Sequence, residues 1–216
     1  MKYAAILFDL DGTLVKSEEG IYNCVEYALE KHGYALPPRE TLRAFIGPPL
    51  PVQFRAVTGC DQAEAMALTD TYRERYAPIG QFECELYDGI LDLLAALKEA
   101  GIPVGIATSK PEVFATTVAA HFGLDRYLSV LVGAGLDEQH STKAALITAA
   151  CDKLGITDIG KVVMVGDRFY DIEGALAVGA LPCGVTYGYG TAEELWNAGA
   201  KWVEDSAKNL KSLFLQ

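Results

Sequence analysis

The chain has 216 residues, half of them hydrophobic and 22% charged, with a formal net charge of −11. That length supplies a core burying roughly 70% of the unfolded surface without staples, and the charge excludes nucleic acid or an anionic membrane as default partners, since both need a basic surface. Five widely spaced cysteines without a Cys-x-x-Cys pair fit reduced thiols in a cytoplasmic protein, the N-terminal apolar run is too short for a signal peptide, and no stretch approaches the eighteen apolar residues of a membrane helix.

In chain order, residues 4–8 read as a short, fully buried strand. It stops abruptly in Asp9-Leu10-Asp11-Gly12-Thr13, two carboxylates where a core strand ends, with Gly12 free to turn the chain away. Taken alone, the peptide favours chemistry only modestly over a strand running into a polar Asp-Gly turn. Residues 18–32 carry Ile21, Val25, Ala28 and Leu29 at helical spacing, and Gly33 and Pro37-Pro38 break the pattern. Residues 42–50 read as a rigid turn and residues 61–77 as a second helix, so the whole of 15–80 is predicted helical. From Tyr87 the pattern alternates. Asp88 is predicted to cap a helix whose buried side carries Ile90, Leu91, Leu93, Leu94 and Leu97 and which Gly101 closes. Strand 103–107 follows, then a helix from near Pro111. Further strands are predicted at 129–132, 161–165, 182–186 and 201–203, separated by helices at 143–154, 172–178, 191–198 and 206–215, with Thr191 and Glu194 as a capping box.

Alternating strands and helices imply an α/β fold, a doubly wound parallel sheet with right-handed crossovers. The helical insertion implies a small cap domain over it. The expected division is a discontinuous core, residues 1–14 and 81–216, and a cap, residues 15–80.

The stretch Gly155 to Lys161 nearly spells a phosphate-binding loop, but Val162 stands where Ser or Thr is needed, and the run leads into a strand instead of a helix. Gly133-Ala134-Gly135 and Gly188-Tyr189-Gly190 complete no dinucleotide fingerprint and read as plain turns. Three other sites accompany Asp9 and Asp11. Strand 162–165 ends in Gly166-Asp167-Arg168-Phe169-Tyr170-Asp171, two carboxylates that one helical turn brings together. Strand 104–107 ends in Thr108-Ser109, expected as hydroxyls at a helix start. Thr142-Lys143 opens another helix, where an ammonium and free N–H groups suit an anion. Each alone has a structural reading as a cap or a surface charge. Together, however, four carboxylates in one crevice would repel unless a divalent cation sat among them, and an all-oxygen donor set suits Mg²⁺. A carboxylate can also attack phosphorus to give an aspartyl-phosphate.

Asp9-x-Asp11-Gly12-Thr13, Thr108, Lys143 and Gly166-Asp167-x-x-x-Asp171, in this order, resemble the four motifs of the haloacid dehalogenase superfamily, and the Asp-x-Asp form resembles its phosphatase and phosphotransferase members. The resemblance implies Asp9 as nucleophile and Asp11 as general acid then base, with Asp11 also giving its backbone carbonyl to Mg²⁺. It implies Thr108 as a phosphoryl ligand, Lys143 as the cation steadying Asp9, and Asp9, Asp167 and Asp171 as metal ligands. Gly12 and Ser109 are added as substrate contacts. The insertion resembles the cap of the phosphoglycolate-phosphatase-like branch, and within it Arg43, Phe45 and Ile46 are the expected substrate-facing residues. The expectation is thus a cytoplasmic, Mg²⁺-dependent phosphomonoesterase, monomeric, acting on a phosphoglycolate-like metabolite or a nucleoside monophosphate. The alternatives are a phosphosugar mutase, disfavoured because Pro48, Pro49 and Leu50 are uncharged where mutases carry a basic residue, and a non-catalytic phosphorylatable switch.

Overall fold

The computed structural model describes residues 2–136 and 142–216. Its elements are β1 (Ala5–Phe8), β2 (Val15–Lys16), α1 (Glu18–Lys31), α2 (Leu50–Thr58), α3 (Gln62–Tyr76), β3 (Glu85–Leu86), α4 (Ile90–Glu99), β4 (Val104–Pro111), α5 (Glu112–His121), β5 (Val130–Ala134), α6 (Lys143–Leu154), β6 (Val162–Gly166), α7 (Phe169–Val178), β7 (Leu181–Val185), α8 (Ala192–Asn197), β8 (Trp202–Glu204) and α9 (Ala207–Leu215). Two compact units result: the first 15 residues with 86–216, and residues 16–85.

The larger unit holds a six-stranded parallel sheet in the order β5-β4-β1-β6-β7-β8. From β1 the chain first builds outward through β4 and β5, then returns to the other side of β1 for β6, β7 and β8, so the winding reverses at β1. A crevice opens beyond the strand ends at such a reversal, which is where ligands bind in open α/β sheets. All four residues of β1 and all five of β6 are buried, as strands covered on both faces require. With a period of two, Leu7, Val162 and Met164 face one side of the sheet, where they pack with Leu146, Ile147 and Ala150 of α6 and Ala175 of α7. Elsewhere in the unit α4 packs on α9, and the Tyr3 ring meets Phe214 edge-on at 5.8 Å.

Within the smaller unit, α3 packs against both α1 and α2, and two 3₁₀ turns, Arg39–Phe45 and Gly80–Phe82, complete it. Its interior is apolar, with Leu29, Leu42, Phe54 and Leu68 fully buried. His32 joins two turns of α3 by bonding Glu64 Oε1 at 2.8 Å and Thr71 Oγ1 at 2.9 Å.

Several expectations need correction. The helix α2 falls in a stretch read only as a turn and its aftermath; Pro49 and Pro51 mark its start, because a proline in the first turn loses no helical hydrogen bond. Gly89, not Asp88, stands at the start of α4, with φ at 78°. Strand β4 runs on to Pro111 instead of stopping at Ala107, because pairing with β5 resumes at Pro111 opposite Ala134 after an irregularity. Helix α7 starts at Phe169, three residues before the first apolar repeat.

Candidate active site

The backbone of Asp9 is fixed as β1 ends, its N–H donating to Val165 O on β6 at 2.8 Å. Its carboxylate meets Asp167 and Asp171 from the end of β6 and the first turn of α7, with an oxygen from each of the three inside 4.8 Å of the others. Lys143, the first residue of α6, reaches into this group. Its ammonium lies 3.0 Å from Asp9 Oδ1 and 2.8 Å from Asp171 Oδ1, and donates to Ala107 O at 3.0 Å. Thr142 frees the lysine for this by capping α6 itself, accepting from Ala145 N at 3.2 Å.

The cluster is buried and negatively charged. Asp167 and Asp171 are at most 1% exposed. Burial, with the charges of Asp171 and Asp9 added, pushes the Asp167 carboxyl up to about 8 although Tyr189 N donates to its Oδ2 at 2.7 Å. Burial likewise raises Asp171, against the pull of Lys143. For Lys143 burial disfavours the charged form, but Asp171 and Asp9 outweigh it and hold the ammonium above its usual range. Three carboxylates share one ammonium, with Oδ1 of both Asp9 and Asp171 lying against it, so two negative charges would be unbalanced with all three ionised. A divalent cation would supply the missing positive charge, and hard oxygen donors with no His or Cys fit Mg²⁺.

Asp11 does not join this group. Its carboxylate lies with Lys110, whose Nζ is 2.8 Å from Oδ1 and 2.7 Å from Oδ2, so three carboxylates converge and not the expected four. Thr108 is buried beside it in β4, its hydroxyl accepting from Lys110 N at 3.2 Å, and Ser109 is half-buried next in line. Both therefore sit in extended backbone rather than at a helix start. Gly12, at φ 83°, packs so tightly that a Cβ there would lie 2.3 Å from Asp167 Oδ2. Its place is dictated by that approach.

In the helical unit Arg43 is exposed, whereas Phe45 packs on Phe54 with ring centroids 5.0 Å apart and Ile46 is buried. Phe45 is thus engaged in the packing of that unit, as an apolar ring usually is. Lys161 of the near phosphate-binding loop pairs with Asp158 at 3.0 Å on the surface, and Gly155 simply ends α6 at φ 68°.

The sequence alone does not single out Lys110, nor the bonds that Thr13 and Tyr189 make to Asp167. Lys110 directly follows Thr108-Ser109, and a lysine just past a strand end beside two carboxylates was a usable cue. Thr13 Oγ1 lies 3.4 Å from Asp167 Oδ1, and Tyr187 donates its hydroxyl to Thr13 O at 3.0 Å; neither contact, 154 and 174 residues apart in sequence, leaves a local pattern.

A family model for haloacid dehalogenase-like hydrolases matches residues 6–185. The chain belongs to that family. A 5'-nucleotidase of Pseudomonas aeruginosa is 41% identical over 195 residues, spanning 90% of this chain and 88% of that one. The tyrosine-protein kinase PtkA of Mycobacterium tuberculosis is 36% identical over 188 residues, which is 87% of this chain but 64% of PtkA. Phosphoglycolate phosphatases match at 31% and 32% identity. Among solved structures, a predicted phosphatase from Clostridium acetobutylicum superposes with a TM-score of 0.92 at 41% identity, covering 99% of this chain and 98% of that one. The fold class and the membership in a family of phosphatases anticipated from the motifs are both borne out, and this member is an enzyme of the hydrolase class. No helix among the described residues is long and apolar enough to cross a membrane.

Proposed function

We propose that this hydrolase is a Mg²⁺-dependent phosphomonoesterase that cleaves small phosphorylated metabolites through a phosphorylated Asp9, with nucleoside 5'-monophosphates the first substrates to test. The observation that carries this reading is the meeting of three buried or half-buried carboxylates, Asp9, Asp167 and Asp171, around the single ammonium of Lys143. The nucleotide preference is supported by the 5'-nucleotidase relative, and the phosphoglycolate phosphatases make a phosphoglycolate-like acid the second class.

As a carboxylate, Asp9 needs no base to act as a nucleophile. Its free oxygen attacks phosphorus, and the bond from phosphorus to the leaving oxygen breaks. Asp11 gives that oxygen its proton. In the second half Asp11 takes a proton from water as the water oxygen attacks phosphorus, and the bond to Asp9 breaks, returning the carboxylate. Lys143 balances charge on Asp9 and on the transferring oxygens, with Thr108, Ser109 and the backbone near Gly12 as further contacts. Asp9, Asp167 and Asp171, with the backbone carbonyl of Asp11, would hold Mg²⁺, which when bound neutralises phosphoryl charge and aligns it for in-line attack.

Release of inorganic phosphate from a panel of nucleotides and phosphorylated acids tests the reading. Turnover should cease in chelator, return with Mg²⁺ and not return with Ca²⁺, whose looser coordination misplaces the nucleophile. Full turnover in chelator would refute it. The part played by the helical unit is tested at Arg43. Arg43→Ala should raise KM for the preferred metabolite by about tenfold, the loss of one charged contact, and leave a small aryl phosphate unaffected. Unchanged KM for both removes Arg43 from substrate choice.

A further inference from the structure

Gly188-Tyr189-Gly190 reads in the sequence as a plain turn, and Glu194 as the acidic half of a cap on α8. The packing gives both a second task. After β7 the chain closes on the segment that carries Asp167. Tyr189 N donates to Asp167 Oδ2 at 2.7 Å. A Cβ on Gly188 would lie 2.5 Å from Asp167 Cβ, and one on Gly190 only 1.9 Å from Asp167 O, so no larger residue fits at either place without displacing Asp167. In the first turn of α8, Glu194 Oε1 accepts from Arg168 Nε at 2.9 Å and from Phe169 N at 3.0 Å.

These bonds fix a particular stretch of backbone. Phe169 is the first residue of α7, and its N–H has no partner within the helix, as at any helix start. Glu194 supplies that partner from another helix. The preceding N–H, of Arg168, donates to Asp171 Oδ2 at 3.1 Å. Two consecutive N–H groups between Asp167 and Asp171 are thus held by two carboxylates, one from inside the loop and one from α8. The Arg168 guanidinium, its Cζ 5.2 Å from the Tyr170 ring centroid, is held through Nε by the same Glu194 oxygen.

We propose that Glu194 is a positioning residue for the Asp167 and Asp171 pair, tying the start of α7 to α8 so that the two carboxylates keep the spacing a divalent cation requires. The inference rests on the metal reading given above. Glu194 acts on the pair through Arg168 and Phe169, both of which its Oε1 holds. Partners of this kind, which orient ligands without touching the ion, typically change metal affinity by about 10- to 100-fold when removed.

The test is a Mn²⁺ titration of the whole chain, followed by loss of the free-ion paramagnetic resonance signal, with Mn²⁺ as the probe for Mg²⁺. Glu194→Gln keeps an oxygen for both hydrogen bonds and should bind Mn²⁺ within about threefold of the parent. Glu194→Ala strands both donors and should bind about tenfold or more weakly. Should the alanine variant fail to fold, Glu194→Asp, which draws the oxygens back by one methylene, should show the same weakening. Parental affinity in the alanine or aspartate variant overturns the proposal. A glutamine variant as weak as alanine also overturns it, since charge and not hydrogen bonding would then be responsible. A parent that binds no Mn²⁺ at all removes the metal reading itself, and this inference with it, an outcome separate from equal binding by parent and variant.

Discussion

Asp9 and Asp11 are two residues apart at the end of one strand, yet they stand in different electrostatic regions. Asp9 lies among three carboxylates and shares a single ammonium, that of Lys143, with Asp171. Asp11 has the ammonium of Lys110 close to both of its oxygens. In the first region three carboxylates share one ammonium, which suits a cation and a nucleophile. In the second, the ammonium of Lys110 meets both oxygens of Asp11 and anchors the group proposed to give and take the proton. The turn at Gly12, forced by its approach to Asp167, is what lets the chain leave the first region directly after serving both. Under the proposed mechanism these identical side chains would be given separate work by their neighbours.

The largest effect should follow from removing the nucleophile. Asp9→Asn should bring phosphate release down to the uncatalysed background on every substrate, because it removes the carboxylate proposed to attack phosphorus. Appreciable turnover by this variant would erase the distinction between the two aspartates. Asp11→Asn comes next, with a loss on the order of 10²–10⁴-fold, since proton transfer alone is removed. Here steady-state rates across aryl phosphates of differing leaving-group acidity are informative, and the defect should shrink as the leaving group improves.

Changing the partner of Asp11 is a milder intervention. Lys110→Ala leaves the carboxylate in place but unanchored, and a drop in kcat of about tenfold, equivalent to about 1.4 kcal/mol of the barrier, is expected. Lys110→Arg should recover part of it. A Lys110→Ala variant that instead loses as much as Asp9→Asn would place Lys110 on the transferring phosphoryl group.

The smallest effect concerns stability without metal. The Asp167 carboxyl is pushed up from 3.8 to about 8 by burial and by Asp171 and Asp9. A carboxyl raised in the folded state favours folding most below its unfolded value and loses that advantage as pH rises through the folded one. In chelator, the thermal midpoint should therefore fall between pH 5 and pH 8, by more in the parent than in Asp167→Asn. Mg²⁺ should restore it chiefly at the upper end of that range. A parent and an Asp167→Asn variant with parallel pH profiles would mean that the first region does not carry the excess charge described.

Much of this arrangement was legible in the sequence because its determinants are local. Apolar runs ending in acids at Asp9 and Asp167 mark buried strands that stop at a crevice, and Thr142 before Lys143 marks a helix start that can be found without its neighbours. What was not legible depends on contacts between distant segments. The pairing of Lys110 with Asp11 spans 99 residues, and the bonds from Glu194 to Arg168 and Phe169 span 26 and 25. The prolongation of β4 through Thr108 and Ser109 follows from pairing with β5 after an irregularity, which no propensity of Thr, Ser or Lys encodes. Likewise α2 opens with prolines, residues that in a sequence read first as breaks.

The central claim is that Asp9 alone takes the phosphoryl group while Asp11 handles protons. The most direct measurement is mass spectrometry of the Asp11→Asn variant, quenched in acid during turnover of a substrate with a good leaving group. Without Asp11 to activate water the intermediate should accumulate, and peptide fragmentation should find one phosphoryl group on Asp9. Phosphate on any other residue, or phosphate release with no adduct at all, would contradict the account.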